Sequence, residues 1–334
     1  MKKRILGRTG LEVSELGLGG AFATRGDGGY AGAKQIVIEA LDLGLNLVDT
    51  SADYGDSEAG LGEAMDGLEK PFILCTKLGP RAGSSDFDAQ DKAHLRWVVE
   101  ESLRLLHRET IDILMIHEPD RPGQLDWWTD LKTFDGPVVE LLKELKDEGI
   151  IRFTGLGGTT AYEIVPIIAT GFYDVVLTAF NYSMFWREAQ IELIPEAKRQ
   201  NMGIFLASPT QQGWLASRFD DRIADGRWLN KPRREQLKRL YALVDEVGIP
   251  IAEMSLRWAL MQPDISTVLT GPRDLDQLRQ NVRAAEDGPL PADMMDRIDE
   301  IAAMVPFRPY EEPFGCPFLQ EDFIERKRPG RAGR

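Results

Sequence analysis

Cysteine and histidine are scarce in this chain, with two of the former and three of the latter among 334 residues. Cys75 and Cys316 cannot build a disulfide framework, and neither belongs to a CxxC pair of the kind that binds zinc or exchanges disulfides. His94, His107 and His117 are dispersed and no HExxH occurs, so no metal centre is expected. The GxSxG of a nucleophilic serine is missing too. The longest mostly apolar stretch, residues 162–180, is interrupted by Glu163, Pro166, Gly171 and Asp174, and it reads as a helix followed by a strand rather than a membrane span. No apolar segment follows the basic opening MKKRILGRTG, so no signal peptide is read there and a cytoplasmic protein is expected. Positive charge is in deficit, with 40 Lys and Arg against 54 Asp and Glu, for a net charge of -14. That sign repels phosphate backbones and anionic lipid, so neither nucleic acid nor a membrane is expected as a partner.

Apolar material is not lacking. Hydrophobic residues make up 43% and charged residues 28%, the balance of a chain with a packed core. Eight short apolar runs carry strand character, and most precede a segment with helical periodicity. They are SELGLGG, LNLVDT, PFILCTK, TIDILMIH, IRFTGLGG, YDVVLTAFN, MGIFLASP and DISTVLTG. Helices are expected over residues 34–43, 91–106, 137–148, 189–200, 233–247 and 274–285. This alternation predicts an α/β fold, a (β/α)8 TIM barrel forming a single domain over residues 1–334, with an open doubly wound sheet as the alternative. Residues 4–14, turning at RTG, read as an N-terminal β-hairpin placed to plug the barrel bottom. The glycines of GLGGAFATRGDGGY do not have the spacing of a Rossmann fingerprint.

In a parallel barrel, chemistry sits at the C-terminal ends of the strands. Asp49 ends the second run, Tyr54 follows in DTSADYG, Lys77 ends the third and His117 the fourth. Each has a plainer reading: Asp49 as a helix cap, Lys77 as a rim charge, His117 as a core histidine. Together they form an acid, a cation and two proton carriers on one rim. A tyrosine with a pKa near 10 is a poor proton carrier at neutral pH, and the Lys77 ammonium is expected to lower it while Asp49 holds Lys77 charged. His117 would then hydrogen-bond a substrate oxygen or join proton delivery. Such an apparatus suits the interconversion of carbonyl and alcohol. A hydride carrier must also bind, and in LTGPRDLDQLRQN the close backbone approach at Gly271 and a helix N-terminus near Asp274 offer an anion site, or simply an ordinary strand-to-helix turn.

The segments LGRTGLEVSELGLGG, DTSADYG, CTKLG, DILMIHEPD, NYSMFWR and GPRDLDQLRQN resemble, in order and spacing, the aldo-keto reductase superfamily over nearly the whole chain. The resemblance implies a (β/α)8 barrel that binds NADP(H), or less often NAD(H), without a Rossmann fold. It also implies a catalytic tetrad of Asp49, Tyr54, Lys77 and His117, with Tyr54 as general acid in reduction and general base in oxidation. Cofactor contacts are implied at Gly20, Ala21, Asp49, Asn181, Ser208, Gly271, Arg273, Gln277, Gln280 and Asn281. Where many members carry a Ser-Asn pair against the nicotinamide amide, this chain has Gly157 and Gly158, so Thr159, Asn181 or backbone groups must substitute. Where many carry a Tyr that stacks on the ring, it has Ala207. Arg273 stands where members often contact a 2'-phosphate and favours NADP(H), whereas Asp274 beside it is of the type that favours NAD(H). Gln277 and Gln280 replace a frequent Arg and Glu, and Asn281 matches.

The LASPTQQG and VVLTAFNYS forms resemble the branch that holds sugar 1-dehydrogenases and pyridoxal dehydrogenases beside reductases. The reading is therefore hydride transfer between a nicotinamide and a small-molecule carbonyl or sugar. An aldose dehydrogenase running oxidatively is one alternative, and a cofactor-sensing binding subunit like the potassium-channel β subunits is another. Tyr30, Trp127, Trp128, Trp186 and Trp214 are candidate pocket aromatics or simply packing. A homo-oligomer is compatible with the sequence. The segment with Tyr310, Phe314, Phe318 and Phe323 is expected either to fold over the rim or to pack on a neighbouring subunit, and the Arg- and Gly-rich tail 326–334 to be disordered.

Overall fold

In a computed structural model, described over residues 1–20, 28–84, 86–121, 126–225 and 230–306, all eight apolar runs become strands of one closed barrel. Ala21, Cys316 and the expectations for the segment 307–334 lie outside the described residues. A hairpin comes first, β1 (Lys3–Ile5) against β2 (Glu12–Ser14), with a 3-10 turn at Gly7–Thr9 between them. The barrel strands are β3 (Leu16–Gly19), β4 (Leu47–Asp49), β5 (Ile73–Leu78), β6 (Ile111–His117), β7 (Ile151–Gly158), β8 (Val175–Ala179), β9 (Gly203–Ala207) and β10 (Thr267–Thr270). They pair in chain order, all parallel. The β10–β3 pairing, Val268 beside Leu16 through Thr270 beside Leu18, closes the ring and excludes the open sheet.

Around the barrel lie α1 (Gly29–Asp42), α2 (Ser57–Met65), α3 (Lys92–Leu106), α4 (Pro137–Asp147), α5 (Ala161–Ile168), α6 (Leu193–Arg199), α7 (Asp220–Asp225), α8 (Lys231–Val247), α9 (Ile251–Leu260), α10 (Leu275–Glu286) and α11 (Ala292–Met304). Two expected helices begin one residue late because their first acids are caps. Asp91 accepts from the backbone N–H groups of Ala93 and His94, and Asp274 accepts from that of Gln277 at 2.7 Å. The expected helix over 189–200 is split into a 3-10 turn at Glu188–Gln190 and α6. Pro195 lacks an N–H and is best accommodated in a first turn, and the α-helix starts two residues before it. Among the described residues no helix is long and apolar enough to cross a membrane.

Alternation along the strands divides the apolar residues into two cores. Outward residues such as Leu18, Val48, Leu74, Leu114 and Val176 pack against the helices. Inward residues Leu47, Ile73, Cys75, Ile113, Met115, Val175, Leu177, Phe205 and Leu269 fill the barrel, and the hairpin adds Leu6 and Val13 to that inner cluster. The hairpin is therefore the barrel's floor. Arg8 N–H donates to the Asn201 carbonyl at 2.5 Å, and Gly7 presses on the backbone entering β9. Gly7 has a φ of +47°, and a Cβ there would stand 2.3–2.5 Å from backbone atoms of residues 201–203. Gly7→Ala is therefore expected to cost about 2 kcal/mol or more in denaturant unfolding. Gly10→Ala, at a φ of +69° in open space, is expected to cost only about 1 kcal/mol.

Candidate active site

Continuing each strand's inward face to its C-terminal end gives the rim. After Leu47 comes Asp49, after Cys75 comes Lys77, and after Met115 comes His117. Three adjacent strands thus deliver polar groups into the top of an apolar lumen. The corresponding positions of the other strands are Gly19, Gly157, Ala179, Ala207 and, just past β10, Gly271. Three of the eight rim positions bear polar side chains and five bear only Gly or Ala.

Lys77 and Asp49 are both buried, and the Lys77 Nζ donates to Asp49 Oδ1 and Oδ2 at 2.8 Å each and to the Thr50 carbonyl at 2.7 Å. Burial lowers the Lys77 pKa, but the Asp49 carboxylate, with smaller contributions from Tyr54 and Cys75, outweighs it and holds the ammonium above the ordinary lysine range. Tyr54 is half-buried on the loop after β4, with Lys77 Nζ 4.9 Å from its ring centroid. Its ring stands edge-on to that of His117, with centroids 5.5 Å apart.

The expectation that Lys77 leaves Tyr54 with a lowered pKa needs correction. Desolvation of the phenol raises it, Lys77 pulls it down by less, and the net direction is upward. His117 is pushed well below the usual histidine range by burial and by the nearby Lys77 and Arg121 cations, so its imidazole is neutral. Its Nδ1 lies 3.1 Å from Ser51 Oγ.

Several contacts that hold this arrangement escaped the sequence reading. Glu58, buried in the first turn of α2, accepts from Thr76 Oγ1 at 2.7 Å, Arg81 Nη1 at 3.0 Å and Ser102 Oγ at 3.1 Å. This knot ties the helix after Tyr54 to β5, to the loop after Lys77 and to α3. Asp120 Oδ2 accepts from the N–H groups of Thr159, at 2.6 Å, and Thr160, and Arg121 bridges Glu118 and Thr159. The residues directly after β6, β8 and β9, Glu118, Phe180 and Ser208, all have positive φ, between 53° and 67°. Left-handed backbone at non-glycine residues costs on the order of 1 kcal/mol each and turns the chain sharply out of the rim. Nothing in DTSADYG marks Ser51 as a contact of His117. For Glu58 the sequence carries only a weak signal, an acid in the first turn of a short helix rich in Gly and Ala.

The remaining candidates are spread along the same rim or behind it. Gly20 accepts from Ser57 Oγ at 3.0 Å. Asn181 is buried just past β8, its Nδ2 on Thr178 Oγ1 at 3.3 Å and its Oδ1 without a donor among the described residues. Gly271 and Arg273 follow β10, and the Arg273 N–H donates to Gln277 Oε1 at 3.1 Å. Gln280 and Asn281 lie further along α10. Gly158 admits no side chain, because a Cβ there would stand 2.0 Å from Ile164 Cδ1 and 2.7 Å from Asp120 Oδ1. Tyr30 donates its hydroxyl to Asp56 at 2.9 Å near the Tyr54 loop. Trp127, Trp128 and Trp186 are buried in the outer core, against Phe87, Phe134 and Phe185, and Arg233 covers Trp186. Trp214 is half-buried against that core.

A closed parallel barrel with a buried ammonium, a phenol and a neutral imidazole meeting at its C-terminal rim is a (β/α)8-barrel oxidoreductase. The chain belongs to the aldo/keto reductase family, whose sequence model matches residues 15–303. It is 30% identical to an L-galactose dehydrogenase of Arabidopsis thaliana over 85% of this chain and 88% of that one. It is 29% identical to an NADH-specific methylglyoxal reductase of Escherichia coli over 85% and 93% of the two chains. Among solved structures it is similar to an aldo-keto reductase from Bacillus halodurans in its holo form, with a TM-score of 0.73 and 28% identity, covering 92% of this chain and 98% of the other.

The neutral His117 has a consequence for stability. Its folded pKa lies below the unfolded value of about 6.5, so both states are neutral above that pH, and below it only the unfolded chain takes the proton. Stability is present above pH 6.5 and falls as the pH drops towards the folded pKa, by up to about 1.4 kcal/mol per pH unit. Chemical denaturation of wild type and His117→Gln between pH 7 and pH 5 should show the variant's slope flatter by up to one proton.

Proposed function

We propose that this protein transfers hydride between a nicotinamide cofactor and the carbonyl or alcohol carbon of a small aldehyde, ketone or sugar, with Tyr54 as the proton relay. The observation that carries the reading is the Tyr54 ring close to both the Lys77 ammonium and the neutral His117, beside a rim of Gly and Ala. When bound, the nicotinamide supplies or accepts the hydride. Gly157, Ala179, Ala207 and Gly271 leave room for a flat ring, and the buried, donorless Oδ1 of Asn181 suits the N–H of a carboxamide. Gly20, Ser208, Gly271, Arg273, Gln277, Gln280 and Asn281 are the other proposed cofactor residues, and Ala21 shares that proposal from the sequence alone. Asp274 caps α10 with its carboxylate, and Arg273, just before that cap, is the residue proposed to read a 2'-phosphate, which favours NADP(H).

In reduction, Tyr54 gives its proton to the carbonyl oxygen while His117 hydrogen-bonds the same oxygen; in oxidation Tyr54 takes the proton back. Lys77 stabilises the phenolate in both directions, and Asp49 keeps Lys77 charged and aimed. Because burial holds the phenol protonated, reduction is expected to be nearly independent of pH through the neutral range and oxidation to rise with pH. The relative named L-galactose dehydrogenase supports the oxidative reading, and the relative named methylglyoxal reductase supports the reductive one.

Paired absorbance assays separate these readings: methylglyoxal with NADPH or NADH, and L-galactose with NADP+ or NAD+. Turnover in either pair is expected, and Tyr54→Phe should bind cofactor normally while losing at least about 100-fold in kcat. A Tyr54→Phe protein at wild-type rates would falsify the proton relay. Arg273→Ala is expected to weaken NADPH binding by about tenfold or more and NADH binding hardly at all; equal losses would show that Arg273 does not read the phosphate.

A further inference from the structure

His117 can act on a substrate oxygen only as a donor, so which of its nitrogens carries the hydrogen decides whether it helps or repels. We propose that Ser51 sets this, donating its hydroxyl hydrogen to His117 Nδ1 and so confining the single imidazole hydrogen to Nε2. Ser51 is fully buried, and among the described residues its Oγ has two partners, the Asp53 N–H at 3.3 Å and His117 Nδ1 at 3.1 Å. The Asp53 N–H is a donor, so Oγ accepts there. If Nδ1 carried the hydrogen, Oγ would accept twice and its own hydrogen would have no acceptor in a place without solvent, an arrangement that buried hydroxyls avoid. With the hydrogen on Nε2, every group is satisfied: Asp53 N–H to Ser51 Oγ, Ser51 O–H to Nδ1, and Nε2–H left for a ligand.

The doubly protonated ring, which would also donate at Nε2, is disfavoured by burial and by the facing Lys77 and Arg121 cations; the other groups around the ring, Tyr54 and Ser51, are neutral. Ser51 is therefore a positioning residue, acting through His117. Its backbone serves the same site, since the Tyr54 N–H donates to the Ser51 carbonyl at 3.1 Å. One residue thus anchors the start of the Tyr54 turn and orients the imidazole opposite it. The tautomer itself follows from the hydrogen-bond count, and only its effect on turnover rests on the function proposed above.

The chain's three histidines make the test direct. Long-range 1H–15N spectra of the full chain labelled with 15N-histidine contain three ring systems, and His94→Gln and His107→Asn identify the His117 signals by elimination. Wild type is expected to show the Nε2–H form at neutral pH, and Ser51→Ala a mixture of the two tautomers at an unchanged melting temperature. In the methylglyoxal and L-galactose assays Ser51→Ala should lose about tenfold in kcat with little change in cofactor KM, less than the ~100-fold or more that follows outright loss of a donor to a developing oxyanion. An Nδ1–H form in the wild type overturns the proposal, as does an Nε2–H form that Ser51→Ala leaves intact. A Ser51-dependent Nε2–H form in a protein silent in both assays supports the proposal and overturns the functional reading instead.

Discussion

The Lys77–Asp49 pair is the constraint on which the rest of the site depends. An ammonium with 1% of its side chain exposed must find its acceptors inside the protein, and here it finds three: both carboxylate oxygens and the Thr50 carbonyl. Removing either charge would leave the other buried alone, a change worth about 3–5 kcal/mol. The pair also sets the field of the whole rim. It pulls the Tyr54 phenol towards ionisation and helps keep His117 uncharged, while the burial that makes those effects strong pushes the phenol the other way. A phenol that is protonated at rest, with a cation waiting beside its oxygen, is suited to giving up a proton and then taking it back.

Such a pair needs a rigid frame, and the frame is built twice. Inside, the lumen is filled from below by the Leu6–Val13 hairpin, so the strands that carry Asp49, Lys77 and His117 rest on packed side chains rather than on water. Outside, the Glu58 knot fastens α2, β5 and α3 together just behind Lys77, and it does so with a carboxylate whose hydrogen-bond partners are Thr76, Arg81 and Ser102. On the opposite side Asp120 and Arg121 tie the loop after His117 to the loop after β7. The left-handed residues Glu118, Phe180 and Ser208 lie in these braced loops, where Gln211 also donates to the Phe180 carbonyl at 3.0 Å. Strain of this kind persists only where neighbouring contacts outweigh it.

Strand order, barrel closure and the meeting of Asp49, Tyr54, Lys77 and His117 were legible in the sequence because each rests on a local pattern. Apolar runs of four to eight residues mark buried parallel strands, and a polar residue closing such a run marks the rim. The helices α2, α7, α9 and α11 were not anticipated. In α2 seven of nine residues are buried and only Ala59 and Glu63 are not, so there is almost no polar stripe to set a period. The direction of the Tyr54 shift was misread because a sequence shows the cation two strands' ends away but not the depth at which the phenol sits. Ser51 was missed for a related reason: a serine in a loop carries no signal until its neighbours at residues 53 and 117 are known.

Five rim positions carry only Gly or Ala, and in β7 packing bears on the one at Gly157 and on its neighbour Gly158. A side chain at residue 207, 179 or 157 would project inward, as Lys77 and His117 do, because inward positions alternate along each strand. At Gly157 an added Cβ would already lie 3.6 Å from Lys77 Cδ and Cε, so a larger residue would crowd the ammonium that the site depends on. One strand position later, Gly158 is closed from the other side by Ile164 and Asp120. The lack of side chains at these two positions is therefore coupled to how β7 packs against Lys77 and the loop after His117. The polar part of the rim is built differently: Asp49 and Lys77 hold each other through an ion pair and His117 is hydrogen-bonded to Ser51, so a change at any of the three disturbs the contacts of its neighbours.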